Sequence, residues 1–464
     1  MLLNLINKKE KQVKEFNMGD KIGYALGDVG CGTFFQFVTT YLMVFYTDVL
    51  GISAAAVGTL FIVARIWDAI NDPIMGVIVD KTGTSEYGKF RPYLIRFGIP
   101  MLLVGILVFT KIPGLPENMK LPYAYITYIL FGMLYTAVNI PYGSLSSVMT
   151  RNPEERTALS TFRSIGGMIS GIIVMLFVPG LIYKDNVATA NGFLKCAILF
   201  AIICSICFVY TFRLTRERIV TEKNSENKSN VKNSLKTLLK NRAFVGISLS
   251  SFAMCASMFI TIGLNAYLFK EYFKNTNLIA VSGMASMLPA LIVIPFIGKL
   301  VKKFGKKEVA CAGTLLSALV YGFLFISPIT NPYVYIGFTM TAGIGNGIVS
   351  ALTWALIADA IDYQEYISGE RNEGTVYSTY SLFRKLSQAI SGGIGGFALG
   401  LLGYEAGAVQ QAESVGVGIK NIICGTNFVG LTISLLSLMF IFNLSKKKVE
   451  EVNETLNSRK VNVV

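Results

Sequence analysis

The sequence predicts an all-α polytopic membrane protein with about 12 transmembrane helices in two six-helix bundles. Three observations carry this. The chain of 464 residues is 53% hydrophobic and only 15% charged, with a mean hydropathy of +0.54, too apolar for a soluble protein of this size. Apolar, nearly uncharged windows recur, such as "GGMISGIIVMLFVPGLIY" and "NFVGLTISLLSLMFIFNL". Each suffices to cross a hydrocarbon core of ~30 Å. The runs are continuous rather than alternating, which argues against a β-barrel. Finally, the two halves of the chain repeat each other.

The spans fall near 22–48, 53–80, 92–111, 121–149, 157–183, 192–213, 243–272, 278–302, 307–327, 332–361, 375–402 and 417–443. Residues 214–242, "LTRERIVTEKNSENKSNVKNSLKTLLKNR", form the long polar interior segment between the sixth and seventh. The expected organisation is an N-terminal bundle 1–213, a cytoplasmic linker 214–242, a C-terminal bundle 243–445 and a cytoplasmic tail 446–464. A short amphipathic helix around "VKNSLKTLLKN" would lie on the membrane surface.

"STFRSIGGMISG" from Ser160 and "SLFRKLSQAISG" from Ser381 match at Ser, Phe, Arg, Ile, Ser and Gly, pairing Arg163 with Arg384. The loops "DKTGTSEYGKFRP" and "KKFGKKEVACAG" also correspond. A six-span duplication with both halves in one orientation is the layout of major facilitator transporters, whose substrate binds near the midplane.

Net charge is +14, and the lysines and arginines cluster on alternate connections. "NKKEKQVKE", "DKTGTSEYGKFRP", "TRNPEERT", 213–242, "KLVKKFGKKE" and "SKKK" are basic; the connections near 48–53, 327–332 and 404–420 are not. This asymmetry puts both termini in the cytoplasm of a multi-pass plasma-membrane protein. It also argues against nucleic acid as a partner. The polar N-terminus has no signal-sequence pattern. The seven cysteines suggest no disulfide framework, and "CSIC" lies within an apolar helix. The sequence has no histidine, which removes histidine-based catalysis and relays. "TAGIGNGIV" and "SGGIGGFALG" sit inside spans with no βαβ pattern, so close helix packing explains them. No cofactor is expected, and the chain reads as a monomer rather than an enzyme.

The second span contains "RIWDAINDP", with two carboxylates where charge is costly. Asp68 and Asp72 are four residues apart and share one helix face, with Asn71 adjacent. Two carboxylates and an amide oxygen can replace the hydration shell of Na⁺, making Asp68 and Asp72 the metal ligands. They can equally share a proton, because repulsion and desolvation raise one pKa. The structural alternative is a salt bridge from Asp68 or Asp72 to Arg65 that closes a cytoplasmic gate. In span 11, Arg384 and Lys385 interrupt an apolar run, and Lys385 lies too deep to reach the interface easily. An inward-facing role follows, pairing with the carboxylates or holding an anionic substrate. Span 4 carries "LYTAVNIPYGSL", whose Tyr135, Thr136, Asn139, Tyr142 and Ser144 suit a sugar; packing through small residues fits equally.

The residues "YLMVFYTDVLGISAAAVGTLFIVARIWDAINDPIMG", "YGKFRP" and the Lys385 span resemble the glycoside–pentoside–hexuronide:cation symporters of the major facilitator superfamily. The similarity runs from about Asp20 to Leu444. "RIWDAINDPIMG" is similar to the melibiose carriers; "NIPYGSL", "ALIADAIDYQEYISGERNEG" and "FRKLSQAISGG" resemble the glucuronide and xyloside carriers.

The resemblance implies that Asp68, Asp72, Asn71 and Thr136 bind the coupling cation, Na⁺ or H⁺. Arg163, Tyr135 and Asn139 would bind the sugar, and Lys385 would sit between the two sites. The melibiose carriers' Lys-Asp pair is replaced by Cys31 and Gly32, their span-4 aspartate by Asn139 and their stacking tryptophan by Gly143. The α-galactoside grip is therefore absent. The shortage of acids beside Arg163 and Lys385 points to an anionic sugar such as a glucuronide, with xylosides and β-glucosides open. Asp359, Asp362, Glu365, Arg371 and Glu373 are expected to form a cytoplasmic gate with Arg65, Lys89 and Arg91.

The expected function is cation-coupled symport of a glycoside, pentoside or hexuronide into the cell by alternating access. The partners are then that solute, the cation and membrane lipid. An uncoupled or exporting facilitator of a small polar or drug-like solute is the alternative. A membrane glycosyltransferase would need a catalytic carboxylate or metal site at the membrane face, which 214–242 does not offer. A sensor would need a signalling domain.

Overall fold

A computed structural model describes residues 15–150, 152–219, 238, 240–369, 373–408 and 410–461. Most of the expected linker, its surface helix included, and Arg371 lie outside these residues.

The described chain is helical almost throughout. In order, the helices are α1 (Met18–Val44), α2 (Ala54–Lys81), α3 (Arg91–Arg96), α4 (Gly98–Val108), α5 (Glu117–Met149), α6 (Pro153–Ile182), α7 (Ala190–Leu214), α8 (Arg242–Tyr267), α9 (Leu278–Phe304), α10 (Lys306–Ile326), α11 (Pro332–Ser368), α12 (Glu373–Leu401), α13 (Glu413–Leu436) and α14 (Lys446–Val461). A two-residue hairpin, β1 (Tyr183–Lys184) and β2 (Val187–Ala188), links α6 to α7.

Ten spans among the described residues, with α3 and α4 forming one, are long and apolar enough to cross a membrane. Helices α9 and α12 fall at the other two expected spans, at 27 and 29 residues, and α12 is interrupted by Arg384 and Lys385. The protein is an all-α, multi-pass membrane protein.

The described chain forms two compact units. One comprises residues 1–52 with 63–225; the other comprises 53–62 with 226–464. Residues 53–62, with the start of α2, group with the second unit, whereas the aspartates of α2 group with the first.

In the first unit, α1 begins at a reciprocal cap. Asn17 accepts from the Gly19 N–H at 2.8 Å, and Asp20 accepts the Asn17 N–H at 3.1 Å. Helix α1 then lies against α6 and α7. Its Phe37, with Phe45 just past its end, joins Phe109, Phe193 and Phe200 in a fully buried aromatic core. Contact between α1 and α6 depends on Gly166. A Cβ there would run into the carbonyl oxygen of Ala25 and stand 3.1 Å from the Cβ of Asp28.

The duplication is visible in backbone geometry. Helix α1 ends in a π-helical turn, Phe45–Val49, and α8 ends in another, Leu268–Tyr272. Leu50 N–H donates to Phe45 O and Ile52 N–H to Tyr46 O. Phe273 N–H donates to Leu268 O and Asn275 N–H to Phe269 O, at the same offsets. The turn residue is Gly51 at φ +75° in one copy and Lys274 at φ +53° in the other. The shared hydrogen bonds keep the left-handed residue even where it is not glycine.

The second unit packs Leu356, Phe244, Phe442 and Leu444 into one core. Asn241 caps α8 through the Phe244 N–H at 3.0 Å, while its amide donates to Ala360 O and Gln364 Oε1 at 2.9 and 3.0 Å. The residue before α8 is thereby held against α11.

Glu217, just past α7, accepts three backbone N–H groups: Lys89 at 2.7 Å, Phe90 at 2.8 Å and Arg91 at 2.9 Å. Gly88, at φ +103°, leaves room for it, since a Cβ there would strike the carboxylate. Glu217→Ala would leave three donors at the start of α3 without their acceptor. Loss of about 1–3 kcal/mol is expected, visible as a lower melting temperature in detergent, whereas Arg216→Ala next to it should change little.

Candidate functional site

Two clusters of polar groups lie in the first unit, both within spans.

The first is on α2 and α5. Asp68 and Asp72 are partly exposed on one face of α2, and Thr136 of α5 donates to Asp72 Oδ1 at 3.0 Å. Arg65 donates from Nη1 to Asp68 Oδ2 at 3.2 Å, the salt bridge weighed as the alternative to a cation site. Gly132 on α5 leaves space beside Asp68 Oδ1. Asn71 is buried, and its Nδ2 has no hydrogen-bond partner among the described residues. A half-turn of the amide puts Oδ1 there instead, since the two orientations differ only in bonding. No group of three Asp, Glu, Cys or His side chains converges among the described residues. A cation here would be held by two carboxylates and neutral oxygens.

The second cluster is on α1, α5 and α6. Arg163 Nε donates to Asp28 Oδ1 at 3.1 Å, an ion pair between α6 and α1. The guanidinium lies over the Tyr142 ring at 5.2 Å. Tyr142 stacks on Tyr24 and donates its hydroxyl to Tyr24 O at 2.6 Å. Tyr135 stacks on Phe35 at 5.1 Å; Asn139, one turn further along α5, is partly exposed.

Asp28 escaped the sequence reading, which noted the acids missing at Cys31, Gly32 and Asn139. The structure corrects the inference that Arg163 lacks an acidic neighbour. A helical spacing argument would have found it: Asp28 lies one turn before Gly32, on the same face of α1. The two clusters are bridged within the unit. Arg65, paired with Asp68, lies over the Phe35 ring at 6.0 Å, and Phe35 stacks on Tyr135.

The expected gate residues stand as follows. Arg91 is buried, donating from Nε to Phe212 O at 3.1 Å, from Nη2 to the same oxygen and from Nη1 to Tyr87 O at 3.1 Å. Lys89 gives its backbone N–H to Glu217 and lays its ammonium over the Phe90 ring at 5.6 Å. In the second unit, Asp359 is buried and accepts from Lys306 Nζ at 2.6 Å, a partner not anticipated although Lys306 belongs to the loop matching "GKFRP". Asp362 lines a small cleft with Asp359, Val449 and Asn453. Lys385 lies on α12 with an exposed side chain.

Residues 23–446 match the model of the MFS/sugar transport protein family. The chain belongs to that family of major facilitator transporters, of glycoside–pentoside–hexuronide type. Among curated relatives, it is 35% identical over 428 residues to the isoprimeverose transporter of Lactiplantibacillus pentosus, covering 91% of this chain and 88% of that protein. It is 32% identical over 446 residues to the glucuronide carrier protein homolog of Escherichia coli (strain K12), covering 95% of each. It is 31% identical over 454 residues to a putative glycoside/cation symporter of the same organism, again covering 95% of each. The fold is similar to that of the D-xylose-proton symporter, with a TM-score of 0.64 at 13% identity over 93% of this chain and 98% of that one.

Proposed function

We propose that this chain carries a glycoside, pentoside or hexuronide into the cell, driven by a cation gradient and working by alternating access. The relatives bear names of sugar carriers and of a glycoside/cation symporter. The observation that supports the reading is the contact between α2 and α5: Thr136 donates to Asp72, Asp68 lies beside Gly132, and the adjacent Asn71 of α2 is buried with its Nδ2 unpartnered among the described residues. Such a set suits Na⁺ or H⁺, the ion being co-substrate rather than resident cofactor. Binding would draw Asp68 away from Arg65 and relay through Phe35 and Tyr135 to the sugar cluster. Both termini and the basic loops are assigned to the cytoplasmic face of the plasma membrane.

The test is uptake by energised vesicles with Na⁺ and pH gradients imposed separately. Uptake should follow one of the two gradients. Flux indifferent to both would mean an uncoupled facilitator. Thr136→Val keeps the shape but removes the neutral oxygen. It should weaken the ion's apparent affinity about tenfold, the discrimination of one lost polar ligand, while sugar KM at saturating ion stays near wild type.

A further inference from the structure

We propose that the end of α13 is a seat for an anionic phospholipid, whose headgroup phosphate is taken by Arg242 and Lys307.

Three helix ends meet there. Helix α13 runs on into a π-helical turn, Ser437–Ile441, which closes its apolar span. Arg242 opens the span of α8, and Lys307 is the second residue of α10. Gly246, one turn along α8 from Arg242, permits the close approach. A Cβ on Gly246 would stand 2.6 Å from the Phe442 backbone nitrogen, and Ser437 Oγ donates to Gly246 O at 2.8 Å. The seat therefore lies at the boundary of the apolar spans, the level of lipid headgroups.

The two cations converge on one stretch of backbone. Arg242 Nη2 donates to Phe440 O at 3.1 Å. Lys307 Nζ donates to Met439 O at 3.0 Å and to Phe442 O at 2.6 Å. Residues 439–442 thus hold both positive groups. The carbonyls at a helix C-terminus offset only about half an elementary charge. Neither cation forms an ion pair with a carboxylate among the described residues. Glu308, beside Lys307, is turned to the head of its own helix, where a Cβ on Gly305 would strike its Oε2. The seat therefore carries uncompensated positive charge.

Donors remain for a ligand. A guanidinium has five N–H groups and an ammonium three; the bonds above use one of the first and two of the second. Such donors match the oxygens of a phosphate diester.

An apolar wall for the acyl chains adjoins them. Val429, Ile433, Leu436 and Phe440 follow one another at helical spacing, forming one stripe along α13 and its turn. All four are exposed, Phe440 at 67%.

Charge decides which lipid sits there. A zwitterionic headgroup bearing an ammonium would bring a third cation to Arg242 and Lys307; an anionic headgroup brings none. Each basic side chain at the surface favours anionic lipid about fivefold.

The experiment uses the full chain in neutral detergent, with phosphatidylglycerol and phosphatidylethanolamine of identical acyl chains as probes. Bound lipid is counted by native mass spectrometry. The wild type should prefer phosphatidylglycerol about 30-fold. Arg242→Gln and Lys307→Gln should each lower that preference about fivefold, and the double variant should all but remove it. Lys303→Gln takes a charge from the end of α9 instead and should leave the preference unchanged. Both Arg242 and Lys307 also cap α13, so the readout is the ratio of the two lipids, which a merely structural role would not move. The single variants decide the matter if the double variant does not fold. Inorganic phosphate, added as competitor, should not displace the lipid, since it has no chains to lie on the stripe. Equal binding of the two lipids by the wild type overturns the proposal. So does a preference that survives in both single variants, or one that falls as far in Lys303→Gln. Displacement by inorganic phosphate would make the seat one for a soluble anion and overturn it too.

Discussion

Asp72→Asn should abolish concentrative sugar uptake while leaving exchange measurable. The substitution keeps the side-chain shape and an oxygen able to accept from Thr136, which now donates to Asp72 Oδ1 at 3.0 Å. What disappears is one of two negative charges in a span, where each carboxylate costs about 3 kcal/mol to insert. Removing one partner of a desolvated charge pair costs about 2–5 kcal/mol. The ion's affinity should therefore fall at least ~30-fold, below what a gradient can load. Sugar counterflow needs no net ion movement and should persist. The measurement is ion-driven accumulation and counterflow in the same vesicle preparation. Accumulation at the wild-type level would remove the assignment of Asp72 to the cation.

The second large effect is structural. Gly166→Val should loosen the crossing of α1 and α6, because the new side chain meets the Ala25 carbonyl, which is helix backbone and cannot swing away. Forced overpacking of this kind costs about 1–3 kcal/mol. A drop of several degrees in the melting temperature in detergent is expected, by roughly 2–4 °C per kcal/mol for a unit near 200 residues. Sugar uptake should fall as well, since Asp28 and Arg163 face each other across that crossing. Gly171, five residues further along α6, is the control: a Cβ there meets nothing within 4 Å. Equal melting temperatures for Gly166→Val and Gly171→Val would contradict the crossing's role.

The spans were legible because lipid imposes one rule on every helix: apolar length. Twelve expected spans correspond to helices, even where α12 carries Arg384 and Lys385. Asp68, Asp72 and Thr136 were legible for the opposite reason, as charge and polarity against an apolar background. The Asp72–Thr136 contact joins residues 64 positions apart. Spacing does not reveal it, and the family resemblance implied it.

What escaped notice depended on crossings between helices. Asp28 sits in "GDVGCG", where the eye is drawn to the positions matching a known Lys-Asp pair. Its partner lies 135 residues away. Glu217 and Lys306 escaped because loop charges read as solvated until a fold gives them partners. Glu217 sits in a polar run like any other, yet three backbone N–H groups converge on it.

The stretch that follows α7 has one further partner. Arg218 donates to both oxygens of Asp20, at 2.9 and 2.8 Å, and to Glu15 O at 3.2 Å. Residues 15–20 and 216–219 are thus neighbours, although nearly 200 positions separate them. A fold whose entry and exit strands of chain meet tolerates being reopened elsewhere. The first bundle should accept a new beginning in the 110–116 connection, with the old ends joined by a short peptide. Such a permutant would keep Asp28, Asp68 and Arg163 in their places while reversing the order in which they emerge during synthesis.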